Sequence, residues 1–118
     1  MSVTIYHNPR CSKSRATLEL LQQRELNPEI VKYLEMPPDA SELRELARKL
    51  GLPPRDFLRT GESTWKELGL DPNAVDAAEL LELMSAHPIL IERPIVVCGE
   101  RARIGRPPEA VLEILTKP

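Results

Sequence analysis

The chain has 118 residues, of which 42% are hydrophobic and 29% are charged, a composition typical of one soluble globular domain. Sixteen Lys and Arg residues against eighteen Asp and Glu residues give a formal net charge of -2. This charge provides no general positive field, so we expect no nucleic-acid partner. No apolar run approaches the roughly 18 residues of a membrane span, and no signal-peptide pattern is present, so we expect a cytoplasmic protein without a membrane partner.

The first 34 residues predict a strand, a helix and a second strand. Alternation over residues 3–7 predicts a strand that ends near His7. Residues 11 to about 25 contain no Gly or Pro, and Ser14, Leu18 and Leu21 share one helical face. Residues 29–34 predict the second strand. A unit of this kind implies two parallel strands joined by a right-handed crossover.

The central segment, at about residues 39–87, predicts helices. Apolar residues recur at helical spacing from Leu43 to Leu50, Asp39 with Glu42 resembles a capping box, and Gly51 ends this helix. Residues 54–59, 63–69 and 76–87 predict three further helices.

Residues 94–98 predict a third strand. Gly99 with Glu100 can turn the chain into a fourth strand at 102–104, which forms a hairpin with the third. Pro107 and Pro108 suit the first turn of a closing helix. We therefore predict an α/β fold of the order βαβ…ββα. It has a four-stranded mixed sheet, a helical insertion at about 39–87, and one domain over residues 1–118.

Cys11 lies where the first strand gives way to the first helix. Pro9 keeps Asn8 out of the helical conformation, so the helix starts close to Cys11 and its positive end lies beside the sulfur. Arg10, Lys13 and Arg15 add positive charge nearby. These features favour the thiolate, and we interpret Cys11 as a reactive nucleophile with a lowered pKa.

The second cysteine does not complete a redox pair. Position 14 is Ser14, so the motif is C-x-x-S and cannot close a local disulfide, although Ser14 can hydrogen-bond the thiolate. If Pro94 begins its strand beside Cys11, Cys98 lies about 13 Å further along that strand, beyond the roughly 7 Å between Cα atoms that a disulfide allows. The electrons must therefore come from an external thiol. A phosphatase-type C-x₅-R loop is excluded because position 17 is Thr17.

Four segments carry a family resemblance: HNPRCSKSR (7–15), FLRT (57–60), HPILIERPIVV (87–97) and RIGRPPEAVLEIL (103–115). Together they resemble the glutaredoxin-coupled arsenate reductase family in a short form, since typical members continue through a C-terminal extension. The resemblance implies a thioredoxin-like fold with a helical insertion. It also implies that Cys11 is the nucleophile, that Arg59, Arg93 and Arg106 hold the oxyanion, and that the Arg93–Pro94 bond is cis.

The same resemblance implies the reaction. Cys11 attacks arsenate, glutathione enters as co-substrate, and glutaredoxin resolves the resulting mixed disulfide. No bound cofactor and no metal are expected. The supporting residues are His7, Asn8, Ser14, Arg15 and Pro94.

Two other functions on the same fold stay open from the sequence. One is a glutathione-linked thiol oxidoreductase acting on another substrate. The other is a redox-responsive regulator that binds RNA polymerase. The C-x-x-S motif argues against the regulator, because relatives with a redox switch often carry C-x-x-C at this place.

Overall fold

The computed structural model describes residues 2–115 and contains a four-stranded sheet. Its strands are β1 (Val3–Tyr6), β2 (Glu29–Val31), β3 (Ile95–Cys98) and β4 (Arg101–Ile104). They lie in the order β2-β1-β3-β4. Strand β1 pairs in parallel with β2 and antiparallel with β3, and β3 pairs antiparallel with β4. The predicted mixed sheet is confirmed, and the crossover after β1 connects its two parallel strands.

The crossover is helix α1 (Ser12–Gln23), which buries Leu21 against the sheet. The core it joins is formed by six buried residues from β1, α1, β3 and the closing helix: Val3, Ile5, Leu21, Val96, Val111 and Ile114. Burying each such side chain contributes about 1.5–3 kcal/mol relative to leaving it exposed. This core therefore anchors β1 and α1, the two elements between which Cys11 lies.

The described residues divide into two compact units. One contains the chain up to Met36 and from Arg93 onward, and the other is Pro37–Glu92. The predicted insertion at about 39–87 falls inside the second unit. That the whole chain forms one domain stays a prediction.

The second unit consists of helices, as predicted. They are α2 (Ala40–Leu50), a 3₁₀ helix (Pro54–Phe57), α3 (Ser63–Leu68), α4 (Ala77–Ala86) and a 3₁₀ helix (Pro88–Leu90). The capping box at the start of α2 is present, with Glu42 N–H donating to the Asp39 carboxylate at 2.8 Å. Gly51 ends α2 in the left-handed conformation, at φ 69°. Helices α2 and α4 pack together, and α4 buries Leu80 and Met84.

Strand β2, the helix predicted at 54–59 and the closing helix differ from their predictions in extent or type. The second of these is the 3₁₀ helix Pro54–Phe57. Strand β2 ends at Val31 rather than residue 34, because the N–H groups of Glu35 and Met36 both turn back to the Lys32 carbonyl, at 3.0 and 2.9 Å. The closing helix is a 3₁₀ helix, Pro108–Ile114. Its buried Val111 and Ile114 are three residues apart and align in a 3₁₀ helix, which explains why this geometry suits the core.

The helices within residues 2–115 include none that combines the length and apolar character needed to span a membrane.

Candidate active site

Cys11 is the N-cap residue of α1, with extended backbone angles of φ −93° and ψ 123°. Its N–H donates to the Asn8 carbonyl at 3.0 Å, and its own carbonyl accepts from the Arg15 N–H at 3.0 Å. The side chain is partly exposed. The thiol therefore lies at the positive end of a twelve-residue helix and is open to a reactant.

Two arginines from a distant part of the sequence surround the sulfur. The Arg106 Nη2 atom lies 3.7 Å from Cys11 Sγ, and Arg106 Nε donates to the Arg93 carbonyl at 2.8 Å. The Arg93 side chain also hydrogen-bonds the sulfur. The Arg93–Pro94 bond is cis, as the family resemblance implies, and Arg106–Pro107 is also cis.

The pKa of Cys11 is lowered by these neighbours. Burial has the largest single influence and raises the pKa of the thiol. The main-chain N–H groups of Ser14 and Lys13 and the guanidinium of Arg93 act in the opposite sense and bring the pKa below its ordinary value. Ser14 thus acts on the sulfur through its main chain.

The Ser14 hydroxyl has a different role from the one that the sequence suggested. It lies 2.6 Å from His7 Nδ1, and it accepts a hydrogen bond from the Asn8 N–H at 3.0 Å. The Asn8 carboxamide oxygen then accepts from the Arg10 N–H at 3.0 Å. His7, Asn8 and Ser14 are all buried, so this network fixes the loop that carries Cys11.

The surroundings of His7 favour its neutral imidazole by lowering its pKa. Burial is the main cause that lowers its pKa, and the positive charges of Lys32 and Arg15 lower it further. Arg15 also donates from Nη1 to the Pro9 carbonyl at 2.9 Å. His7 and Arg15 therefore hold the cysteine loop, and neither is among the groups that set the pKa of the sulfur.

Gly105 is a site residue that the sequence analysis missed. A Cβ atom at this position would lie 2.6 Å from Thr17 Oγ1 and 2.8 Å from Pro94 Cγ, closer than real contacts allow. Its N–H donates to the Pro94 carbonyl at 2.9 Å. Only glycine lets the segment before Arg106 approach α1 this closely. The signal in the sequence is a glycine directly after a strand, which often marks a close backbone approach.

Arg59 belongs to the second unit, and carboxylates surround it. Its Nη1 atom lies 2.7 Å from Glu92 Oε1, and its Nε atom lies 3.2 Å from Glu62 Oε2. Burial lowers the pKa of Arg59, but these two carboxylates outweigh it and raise the pKa above its ordinary value. The structure thus brings Arg93 and Arg106 to Cys11, and the role of Arg59 in oxyanion binding stays a prediction.

Cys98 lies away from the reactive thiol. It pairs with Val3 at the start of β1, whereas Cys11 follows the end of that strand, and both cysteines are free thiols. Within residues 2–115, no group of three or more His, Cys, Asp or Glu side chains is placed to hold a metal ion.

These features define a thioredoxin-like protein with an activated thiol at the start of its first helix. The chain belongs to the ArsC family, whose family model matches residues 6–114. It is 52% identical over 114 residues to the uncharacterized protein YfgD of Escherichia coli, covering 96% of each chain. It is 51% identical over 116 residues to the arsenate reductase of Haemophilus influenzae, covering 98% of this chain and 100% of the relative.

A solved structure of an arsenate reductase from Vibrio cholerae superposes with a TM-score of 0.93. It is 52% identical in sequence and covers 97% of this chain and 98% of that chain. The thioredoxin-like fold predicted from the sequence is therefore confirmed.

Proposed function

We propose that this protein is an arsenate reductase of the cytoplasm, with Cys11 as nucleophile and with glutathione and glutaredoxin as electron donors. One observation carries the proposal: a thiol of lowered pKa has the guanidinium of Arg106 3.7 Å from its sulfur and a hydrogen bond from Arg93. Guanidinium groups stay charged and bind tetrahedral oxyanions bidentately. The names of the relatives from Haemophilus influenzae and Vibrio cholerae support the same substrate.

The first step forms a bond between sulfur and arsenic. The Cys11 thiolate attacks the arsenic of dihydrogen arsenate, one oxygen takes up a proton and leaves as water, and a thioester of As(V) remains on the protein. Arg93 and Arg106 reduce the repulsion between the thiolate and the anion, because their charges face both. The positive end of α1 acts in the same direction.

The second step transfers two electrons to arsenic. The sulfur of glutathione bonds to the Cys11 sulfur, the electron pair of the sulfur–arsenic bond passes to arsenic, and the glutathione proton goes to an arsenic oxygen. Arsenite of oxidation state As(III) leaves, and Cys11 is left in a mixed disulfide with glutathione. Glutaredoxin then restores the thiolate by thiol–disulfide exchange. C-x-x-S at residues 11–14 supports this use of outside thiols, because the motif holds no second cysteine.

The test is arsenate-dependent oxidation of glutathione in the presence of glutaredoxin. We expect turnover with the wild-type chain and none above background with Cys11→Ser. Cys98→Ser is the matched control, since it removes the other free thiol and should leave turnover unchanged.

Absence of arsenate turnover in the wild-type protein, with glutaredoxin supplied and Cys11 still reactive, would refute the proposal. Mixed-disulfide formation at Cys11 that does not depend on arsenate would then favour another glutathione-linked reaction.

A further inference from the structure

A pocket of about 260 Å³ lies beside the loop that carries Cys11. It is lined by residues 7–10, which lead from β1 into α1, and by Lys32, Leu34 and Glu35, which follow β2. His7 and Asn8 are buried, whereas the other lining residues are exposed. The pocket therefore has a fixed polar wall, held by the Ser14 hydroxyl, and an open rim.

Three charged side chains line this pocket. Arg10 and Lys32 are cationic, and Glu35 is anionic. Among residues 2–115, none of these three side chains forms an ion pair or a hydrogen bond with another side chain. Their charges are therefore available to a ligand, unlike that of Arg59, which two carboxylates already engage.

The lining matches one class of ligand in charge and polarity. Two cations and one carboxylate complement a molecule with two carboxylates and one ammonium group, and Pro9 with Leu34 adds apolar surface for short aliphatic segments. We propose that this pocket binds glutathione and presents its thiol to Cys11. The inference deepens the proposed function, on which it rests, by locating its thiol co-substrate.

The position of the pocket suits that role. Arg10 lines the pocket and directly precedes Cys11 in the chain, and consecutive Cα atoms are about 3.8 Å apart, so a peptide held at Arg10 would lie next to the cysteine loop. Neither Arg93 nor Arg106 lines the pocket. A peptide in this pocket and an oxyanion at the sulfur would therefore contact different side chains.

The experiment measures how fast Cys11 reacts with a charged and with an uncharged disulfide. In both reactions the Cys11 thiolate attacks one sulfur, the disulfide bond breaks, and the other sulfur leaves as a thiolate. Oxidised glutathione is the charged reagent and bis(2-hydroxyethyl) disulfide is the uncharged one. The ratio of the two rates, measured in the Cys98→Ser background, reports recognition of the peptide, because the reactivity of the sulfur cancels.

We expect Lys32→Glu and Arg10→Glu each to lower this ratio by about tenfold or more. Each variant replaces a cation that attracts a carboxylate of glutathione with a carboxylate that repels it. An unchanged rate with the uncharged disulfide shows that the fold and the Cys11 thiolate are intact. Lys13→Glu is the matched control, since it makes the same charge change two residues from Cys11 but outside the pocket lining.

An equal fall in the ratio for Lys13→Glu would overturn the pocket and leave only a general field effect. An unchanged ratio in both pocket variants would also overturn it. Arsenate is absent from this experiment, so failure of arsenate reduction and failure of the pocket are seen separately.

Discussion

Arginines in the Cys11 region and in the Arg59 region face opposite partners. Around Cys11, Arg106 contacts the sulfur and the Arg93 carbonyl, and Arg93 hydrogen-bonds the sulfur. In the second unit, the guanidinium of Arg59 pairs with Glu62 and Glu92. Arginine thus lowers the pKa of a thiol in one region and is paired with carboxylates in the other.

The difference in local charge has a consequence for anion binding. One guanidinium against two carboxylates leaves the Arg59 cluster with one net negative charge. An oxyanion that approaches Arg59 meets repulsion from both carboxylates as well as attraction. We therefore expect the Cys11 region to attract an oxyanion more strongly than the Arg59 cluster, although the sequence resemblance implies the same role for all three arginines.

The largest expected effect comes from replacing the arginine at the sulfur. We expect Arg106→Ala to lower kcat/KM for arsenate by about 100- to 1000-fold, the usual cost of removing one donor from a charge-stabilising site. Arg59→Ala should cost less, because two carboxylates already compensate its charge. The measurement is steady-state turnover with glutathione and glutaredoxin in excess.

A loss for Arg59→Ala as large as that for Arg106→Ala would break the comparison and make the two arginines equivalent in binding. Arg24→Ala is the control for a general loss of positive charge, since Arg24 caps the other end of α1. It should leave turnover unchanged.

The second prediction compares a glycine from each region. Gly105→Ala should destabilise the protein by about 3 kcal/mol, the upper range for overpacking, because the new Cβ would meet both Thr17 and Pro94 within 3 Å. Gly61→Ala is the matched control beside Arg59, since a Cβ there has no atom within 4 Å. Urea unfolding of both variants measures the two free energies. Similar values for the two would contradict the close approach at Gly105.

How far the sequence predicts the molecule depends on how local each interaction is. The cap of α2 by Asp39 involves a residue three positions away, and the sequence predicts it. The start of α1 at Cys11 follows from Pro9 and is also predicted. Gly105 was missed, because its neighbours Thr17 and Pro94 are brought to it only by the folded sheet and helix.

In the site, too, the sequence predicts local interactions better than interactions between residues far apart in the chain. The contact between Arg106 and Cys11 spans 95 residues of sequence, and only the family resemblance, not spacing, pointed to it. The sequence suggests a hydrogen bond from the Ser14 hydroxyl to the sulfur. In the structure this hydroxyl is instead hydrogen-bonded to His7 and Asn8, two buried residues whose polar groups need a partner. The pairing of Arg59 with Glu92, 33 residues away, had no signal in the sequence.

The third prediction concerns the uncharged hydrogen-bond network of His7, Asn8 and Ser14, which contrasts with the charged cluster at Arg59. Its expected effect on stability is smaller. Ser14→Ala should cost about 1–2 kcal/mol, because it leaves the buried His7 ring and the Asn8 N–H without their partner. Ser12→Ala, an exposed serine on the same helix, should cost much less. Added salt should leave the Ser14→Ala difference unchanged, since no charge is involved. A Ser14→Ala cost that shrinks with salt would contradict an uncharged network.

The same network predicts a pH dependence. The pKa of His7 is lowered in the folded protein from an ordinary value of 6.5. Below pH 6.5, His7 therefore binds a proton in the unfolded chain but not in the folded one. Stability falls as the pH drops toward the pKa of His7 in the folded protein. Stability above 6.5 should not change through His7. Unfolding free energies from pH 7.5 to 5 should show this slope in the wild type and a weaker slope in His7→Gln. The same slope in His7→Gln as in the wild type would show that other groups cause the pH dependence.

The smallest effect is expected at the Arg59 cluster. Arg59 and Glu92 have side chains that are 22% and 24% exposed, so water still screens the pair in part, and we expect a contribution of about 1 kcal/mol, the upper end of the range for exposed pairs. Glu92→Gln should therefore lower the free energy of unfolding only slightly, and less at high salt. The Glu92 main chain still donates to the Phe57 carbonyl, so the backbone is retained. Glu45→Gln, in a pair with both side chains 56% exposed, is the matched control and should cost almost nothing.

Glu92→Gln also tests the assignment of Arg59 to oxyanion binding. The variant removes one of the two carboxylates that face the guanidinium, and thus takes the cluster from one net negative charge to neutral. If Arg59 binds arsenate, this weaker competition should lower KM for arsenate while kcat stays the same. If Arg59 is only a structural ion-pair partner, KM should stay the same while stability falls slightly. Because the two results differ in which quantity moves, one variant decides whether the second unit shares in the chemistry at Cys11.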